Sequence, residues 1–158
     1  MKKTHYTQKN FECRRSLGYL IRRLHNLVIP NAESLFADAD ITFSQWVVLV
    51  SLRDGLASTA AEVARHMDHD AGAITRLIDQ MEKRGLVARR RSTKDRRVIH
   101  LEITPAGKAL ATSLTPRLIE FWNTTLTGFT QAEFETLLSL LTRLIGRLEE
   151  QPTLKAAS

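Results

Sequence analysis

The sequence predicts a mainly α-helical chain with one small β-hairpin, and three observations support this fold class. Apolar residues between Ile74 and Met81 recur at the spacing of one helix face. Residues 86–91 and 98–103 follow as two strands on either side of a basic turn. Upstream, two capping-box patterns mark the starts of further helices. This order of elements, several helices and then a strand, a basic turn and a second strand, is that of a winged helix-turn-helix domain.

The amino-terminal helix is predicted over residues 10–28. Its apolar residues keep the helical period as far as Pro30, which has no backbone N–H to donate and therefore disturbs the helix. Residues 31–37 follow as a short apolar segment that we expect to add another helical piece. Residues 1–9 are polar, and we expect them to be loosely held.

Three capped helices are predicted next. Thr42 and Thr59 are each followed three residues later by Gln or Glu, so the first starts a helix to about Arg53 and the second starts a short helix. Asp70 caps the third helix, and Gly85 stands where a helix commonly ends. A tight connection joins the last two helices, and the outer side of the second is polar. This combination predicts a helix-turn-helix.

The carboxyl-terminal part is predicted to form two more helices. Thr104 precedes a proline at the first helical position, and the helix that follows should bend or break at Pro116. Thr130 opens another capping box, and apolar residues then recur in heptads as far as Leu148. The apolar faces of the first and last helices have no obvious cover in their own chain, which predicts a homodimer. The expected organisation is one domain, 1–158, with dimerisation helices in 10–37 and 105–150 and a winged helix-turn-helix DNA-binding region in 42–104.

Positive charge is concentrated beside the third capped helix. The stretch from Lys83 to Arg97 holds eight basic residues against Asp95 alone, a net charge of +7, whereas the whole chain carries +6. The rest of the chain therefore sums to −1. A merely soluble basic protein does not need such a concentration, but a surface that binds a polyanion does.

Composition and motifs exclude several classes of protein. No apolar run approaches the roughly 20 residues of a membrane-spanning helix, and the first residues lack the apolar core of a signal peptide, so we expect a cytoplasmic protein with no membrane partner. The single cysteine, Cys13, excludes an internal disulfide and a cysteine-based metal cluster. The sequence has no glycine-rich phosphate loop, nucleophile elbow or paired-carboxylate motif. We therefore expect no enzyme activity, no catalytic residue and no cofactor.

Five short motifs occur in a set order along nearly the whole chain. They are Leu-Gly-Tyr-Leu-Ile at 17–21, Ile-Thr-Phe-Ser-Gln-Trp at 41–46, Ala-Ala-Glu-Val-Ala at 60–64, Gly-Ala-Ile-Thr-Arg-Leu-Ile at 72–78 with Gly-Leu-Val at 85–87, and Asp-Arg-Arg at 95–97 with Leu-Glu-Ile-Thr-Pro-Ala-Gly at 101–107. In this order and spacing the sequence resembles the MarR family of bacterial transcription regulators. The resemblance implies a homodimeric repressor that leaves a palindromic operator when a small ligand, often an aromatic acid or phenol, or an oxidant acts on it.

The resemblance also implies which residues contact double-stranded DNA. The recognition helix would enter the major groove, and the wing would carry the family's Asp-x-Arg pair at Asp95 and Arg97. Asp95 could hold the Arg97 guanidinium in one rotamer by a bidentate pair, so that less entropy is lost when it enters a narrow minor groove. The other basic residues would lie on phosphates. The expected DNA contacts are Ala73, Thr75, Arg76, Arg89, Arg91, Lys94, Asp95, Arg96 and Arg97.

The family's effector pocket lies between the dimerisation helices and the winged helix, which implies a site for a small aromatic carboxylate or phenolic effector. An arginine could pair with a carboxylate, and aromatic side chains could stack on a ring. Trp46 is equally a candidate core residue. The candidate effector contacts are Arg15, Tyr19, His25, Trp46, Arg65 and His66. A metal site is not expected, because His66 and His69 with their acidic neighbours lack a third and fourth ligand in sequence.

Two alternatives remain open. One subgroup of the family senses organic hydroperoxides through a cysteine in the first helix, and Cys13 with its arginine neighbours could act as such a thiol-based sensor. The tyrosines that this subgroup uses are replaced here by Leu27 and Phe43, which favours a buried or inert thiol. The other alternative is a protein-interaction module whose winged helix binds a protein in place of DNA.

Overall fold

The computed structural model describes residues 4–95 and 97–151, and within them the chain divides into two compact units, one extending to Leu118 and the other beginning at Ile119. A 3₁₀ turn at Cys13–Arg15 precedes the first α-helix. No helix in these residues is long and apolar enough to cross a membrane. The helices and strands are α1 (Leu17–Ser34), α2 (Phe43–Arg53), α3 (Ala60–His66), α4 (Ala71–Lys83), β1 (Val87–Arg91), β2 (Ile99–Ile103), α5 (Pro105–Thr125) and α6 (Gln131–Glu149).

The predicted helix starts are confirmed by their caps. Complete capping boxes open α2 at Thr42, α3 at Thr59 and α6 at Thr130. Asp70 caps α4, because its Oδ1 accepts the Ala73 N–H at 3.0 Å. Each cap satisfies a backbone donor that has no partner inside its helix, and is worth about 1 kcal/mol. Local sequence therefore sets the boundaries of the helix-turn-helix.

The predicted bounds of the first helix were wrong. α1 begins at Leu17 after a Ser16 cap and not at residue 10. It also continues through Pro30, because a proline removes only one backbone hydrogen bond and the Asn31 amide donates to the Leu27 carbonyl at 2.7 Å. Pro116 likewise lies inside α5 without ending it.

The amino-terminal segment is less loose than expected. The Tyr6 hydroxyl accepts the backbone N–H of Leu17 at 3.0 Å, and the Tyr6 and Phe11 rings meet edge to face. These contacts hold the described part of the segment, from residue 4, against the start of α1.

The hairpin is confirmed, with β1 and β2 antiparallel and Arg89 paired with Leu101 in register. The Leu101 N–H also donates to the Ser58 carbonyl, between α2 and α3, at 2.8 Å. Leu101 is buried, so this bond ties one rung of the hairpin to the helices.

The core of the first unit forms around α2 and α4. Ile74, Ile78 and Met81 of α4 are completely buried against Val48 and Leu49 of α2 and their neighbours. Each such side chain contributes about 1.5–3 kcal/mol through removal of its apolar surface from water. This burial fixes the rotation of α4 about its axis and therefore decides which of its residues face solvent.

A close approach between α5 and the turn after α4 requires glycine. A Cβ on Gly107 would lie 2.1 Å from the Leu86 carbonyl oxygen and 3.1 Å from Ile103 Cγ1. The Thr104 hydroxyl lies in the same junction, where it accepts the Gly107 N–H at 3.0 Å and donates to the Gly85 carbonyl at 2.6 Å. The junction holds the base of the hairpin against the first turn of α5.

Two sets of large apolar side chains are exposed, one in each unit. Those on α1 follow one side of the helix, and those on α6 recur along its length. Exposed apolar surface of this extent is typical of an interaction face. The side chains are Leu17, Leu20, Ile21, Leu24 and Leu27 on α1, and Leu137, Leu138, Leu140, Ile145 and Leu148 on α6.

Candidate nucleic-acid interface

The outward side of α4 is fixed by its buried side. Because Ile74 and Ile78 face the core, Thr75 and Arg76 are exposed. Ala73 is half-buried in the first turn, and the Thr75 hydroxyl donates to the Ala71 carbonyl at 2.8 Å. A helix with small and polar residues outward at its amino end can approach the floor of a major groove closely.

The turn of the hairpin is closed by its own side chains. Ser92 Oγ accepts the backbone N–H groups of Lys94 and Asp95 at 3.2 and 3.3 Å. Asp95 Oδ1 then accepts the backbone N–H of Arg97 at 2.9 Å. Lys94, Asp95 and Arg97 are all exposed at this tip, and Arg96 lies outside the described residues.

The prediction of a bidentate pair between Asp95 and Arg97 was therefore wrong. Within the described residues Asp95 binds the main chain of Arg97 and forms no ion pair with its guanidinium. A short acidic side chain commonly bonds the backbone two residues on, which makes an Asx turn. Asp95 shapes the turn that carries Arg97 and leaves that guanidinium at the surface.

The three arginines of β1 have different surroundings. Arg91 is exposed and has no ion pair within residues 4–95 and 97–151, and Arg90 forms an exposed pair with Glu102 at 3.3 Å. Arg89 is paired with two carboxylates of α4, Asp79 at 2.7 Å and Glu82 at 2.5 Å. Burial lowers the pKa of Arg89, but the hydrogen bonds to Asp79 and Glu82 outweigh it and raise that pKa above its ordinary value.

The ion-pair partners of Arg89 were missed in the sequence, where Arg89 and Arg91 are both expected to contact DNA. One signal was available. Glu82 and Arg89 lie seven residues apart on either side of a tight turn, a spacing that returns the strand alongside the helix. The Glu82 carboxylate then accepts hydrogen bonds from both the backbone N–H and the guanidinium of Arg89.

The six candidate effector contacts do not gather in one place. Arg15, His25, Arg65 and His66 are exposed, and Tyr19 is half-buried on α1. Trp46 is a core residue: its ring stacks on Phe43 at 6.0 Å between centroids, and its Nε1–H donates to the Ala111 carbonyl at 3.2 Å. The role of these residues in ligand binding stays a prediction.

A groove of about 620 Å³ opens between the end of α1, the start of α2 and the end of α4. Its lining includes apolar Phe36 and Ile41, basic Lys83 and Arg84, and acidic Glu33 and Asp40, with Arg84 3.4 Å from Asp40. Gln45, only 7% exposed, lines it with a side chain whose Oε1 accepts the Thr42 N–H. None of the six expected residues lines this groove. Its lining comes from segments far apart in sequence, which a sequence pattern does not bring together.

Cys13 is exposed in the 3₁₀ turn, so the expectation of a buried thiol was wrong, and the choice between an inert and an oxidant-sensing thiol stays open. Within the described residues no three His, Cys, Asp or Glu side chains lie close enough together to hold a metal ion.

Comparisons with known proteins place this geometry among transcription regulators. A family model described as "MarR family" matches residues 41–99, which cover α2, α3, α4, β1 and the start of β2. The chain is 27% identical over 131 residues to the HTH-type transcriptional repressor IacR of Pseudomonas putida, covering 83% of this chain and 78% of that protein.

Two solved structures share the fold over most of their length. One is Bordetella bronchiseptica BpsR, whose DNA binding is regulated by 6-hydroxynicotinic acid, with a TM-score of 0.74, 26% identity and coverage of 85% of this chain and 96% of that one. The other is a mutant of Escherichia coli MarR complexed with operator DNA, with a TM-score of 0.70, 28% identity and coverage of 81% and 92%.

Proposed function

The chain belongs to the MarR family of DNA-binding transcriptional regulators, and we propose that it is a homodimeric repressor of the bacterial cytoplasm that leaves a palindromic operator when a small aromatic acid or phenol binds. Members of this family are regulators and not enzymes. The observation that carries the proposal is the pairing of a polar, outward side of α4 with a cationic hairpin tip held in a closed turn. A major-groove helix and a basic wing are the two parts by which such a domain binds duplex DNA.

The proposed DNA contacts follow from exposure within the described residues, and Arg96, which lies outside them, is included for its place in the basic turn of the sequence. We place Thr75 and Arg76 at base edges, where an arginine can donate two hydrogen bonds to guanine and the Thr75 hydroxyl, which donates to Ala71, can accept one. The half-buried Ala73 allows close approach of the helix. Arg97 at the wing tip is positioned for a minor groove, which attracts arginine when it is narrow. Arg91, Lys94 and Arg96 would lie on phosphates and add affinity without sequence preference.

The dimer is supported by the exposed apolar side chains of α1 and, separately, of α6. A second copy related by a two-fold axis would cover both sets with the same surfaces. Residues 10–37 and 105–150 would then serve dimerisation, and 42–104 would bind DNA. Two-fold symmetry would also place the two α4 helices roughly 34 Å apart, one turn of DNA, and so match a palindrome.

The effector is supported by the groove beside α4. Lys83 lines the same groove as Phe36 and Ile41, so a carboxylate could pair with its ammonium group while a ring lies on the two apolar side chains. Since Lys83 is the last residue of α4, a ligand there would act on the helix that reads DNA. BpsR, a structural relative, is regulated by an aromatic acid.

The test combines DNA binding with ligand release. A duplex selected by the protein from a random-sequence pool should bind with an affinity that falls steeply with added salt, by a log–log slope of several units. A protein-interaction module would show neither a selected sequence nor this slope.

Adding 6-hydroxynicotinic acid or benzoic acid should raise the melting temperature and weaken binding of the selected duplex. Lys83→Ala should blunt that response, whereas Lys108→Ala, a matched change on an exposed face of α5, should leave it intact. If neither acid has an effect on wild type, the aromatic-acid proposal is wrong and DNA binding is unaffected.

A further inference from the structure

One rung of the hairpin is held from both sides. Arg89 and Leu101 are paired residues of β1 and β2. Arg89 reaches α4 through its side chain, and Leu101 reaches the α2–α3 connection through its bond to the Ser58 carbonyl at 2.8 Å. Beyond this rung lie the pairs of Arg90 and Arg91 and the exposed turn. The rung is therefore where the wing is anchored to the body of the domain.

The contact between Arg89 and α4 has three points. Nη2 lies 2.7 Å from Asp79 Oδ1, and Nη1 lies 2.5 Å from Glu82 Oε2. The other oxygen of Glu82 accepts the backbone N–H of Arg89 at 3.2 Å. A planar guanidinium that bridges two carboxylates, with its own backbone bound by one of them, fixes both the side chain and the strand.

The same contact removes a charge problem. Asp79 and Glu82 lie three and six residues after Arg76 on α4, on a helix that must approach phosphates. Two uncompensated carboxylates there would repel the DNA backbone. The Arg89 side chain is 27% exposed and forms ion pairs with both carboxylates. Arg91, two residues along the same strand, is exposed.

We propose that Arg89 is a positioning residue for DNA binding and not the phosphate contact expected from the sequence: it fixes the wing to the recognition helix so that both meet the duplex together. The inference rests on the proposed DNA-binding function. A wing with a defined angle to α4 loses less entropy when Arg97 and Thr75 engage the same DNA, so the effect falls on sequence-specific binding.

The experiment measures two quantities by fluorescence anisotropy. The first is the ratio of affinities for the selected duplex and for a scrambled duplex of the same length. The second is the slope of log affinity against log salt. A general change in charge alters both affinities alike and cancels in the ratio, whereas a lost phosphate contact lowers the slope by about one.

Arg89→Gln should lower the ratio about tenfold and leave the slope unchanged. Arg91→Gln is the matched control on the same strand, and it should leave the ratio unchanged and lower the slope by about one. The double variant Asp79→Asn with Glu82→Gln keeps the shapes and the backbone acceptor, and should lower the ratio as Arg89→Gln does. Adding Arg89→Gln to that double variant should cost less than about threefold more, because the partners are already gone.

Each contrary result has one meaning. If Arg89→Gln behaves as Arg91→Gln does, Arg89 is a phosphate contact and the proposal is overturned. If Arg89→Gln lowers only the melting temperature, with ratio and slope as in wild type, the role is merely structural and the proposal is again overturned. If wild type does not distinguish the selected duplex from the scrambled one, the proposed function itself is wrong.

Discussion

Gly107→Ala tests the junction that holds the wing and α5 together. The added Cβ would lie 2.1 Å from the Leu86 carbonyl oxygen, where a carbon and an oxygen ordinarily stay about 3.3 Å apart. The atom in the way is backbone and not the end of a flexible side chain. The first turn of α5 must therefore move by about 1 Å from the turn after α4.

The cost follows from the contacts that this movement disturbs. Forcing an extra carbon into a close-packed site costs about 1–3 kcal/mol. Weakening the Thr104 hydroxyl bonds to Gly107 and Gly85 adds about 1 kcal/mol. The better helix propensity of alanine returns at most about 1 kcal/mol. The net loss is about 1–3 kcal/mol, which corresponds to a fall in melting temperature of roughly 2–12 °C for a protein of this size.

Thermal unfolding followed by circular dichroism measures the effect. The control is Lys108→Ala, the next residue of α5, whose exposed side chain should be replaceable within about 0.5 kcal/mol. A Gly107→Ala protein that melts as high as wild type would show that α5 and the Leu86 turn are not in contact as described.

Three further predictions address the wing, the thiol and acid stability. Asp95→Ala should weaken binding of the selected duplex about fivefold, the value of one hydrogen bond, whereas Asp95→Asn keeps the acceptor for the Arg97 N–H and should bind as wild type. If a gel shift showed equal losses for the two variants, the pair between the Asp95 carboxylate and the Arg97 guanidinium would be supported after all. Cys13→Ser should leave release from DNA by peroxide no different from wild type, and a lost response would establish the thiol as a sensor. The hydrogen bond to Arg117 lowers the pKa of Asp38 below 3.8, so its contribution to stability is present above that value and is lost as the pH falls further. Asp38→Asn should therefore lose less of its melting temperature than wild type does when the pH is lowered past 3.8.

Helix starts and the hairpin could be predicted because they depend on neighbouring residues. A cap at Thr42 or Asp70 and a turn at Gly85 act within a few residues of chain, so the sequence pattern carries them completely. The start of α1 could not be predicted in this way. The helix was predicted from residue 10, but the cap at Ser16 and the contact from Tyr6 decide that it begins at Leu17.

The partners of the charged residues could not be predicted from the sequence for a different reason. Asp95 was expected to bind the guanidinium of Arg97, but it binds the backbone N–H of that residue. The two-residue spacing is compatible with either contact. Spacing predicts which residues meet and not which of their atoms meet. The groove was missed because Phe36 comes from the turn after α1, Gln45 from α2 and Lys83 from α4, and only the packed core brings these segments together.

The basic stretch from Lys83 to Arg97 shows how unpredicted ion pairs change the expected number of DNA contacts. Five of the eight cations between Lys83 and Arg97, Arg89 among them, were expected to contact DNA, but the structure divides those it describes among several contacts. Arg89 neutralises α4, Arg90 pairs with Glu102, and Lys83 and Arg84 line the groove. Within the described residues, the exposed cations of the wing that have no ion pair are Arg91, Lys94 and Arg97. The salt dependence of DNA binding should therefore reflect about three or four wing contacts per protomer together with Arg76, and a slope that required all eight would mean that the ion pairs of Arg89 and Arg90 open on the duplex.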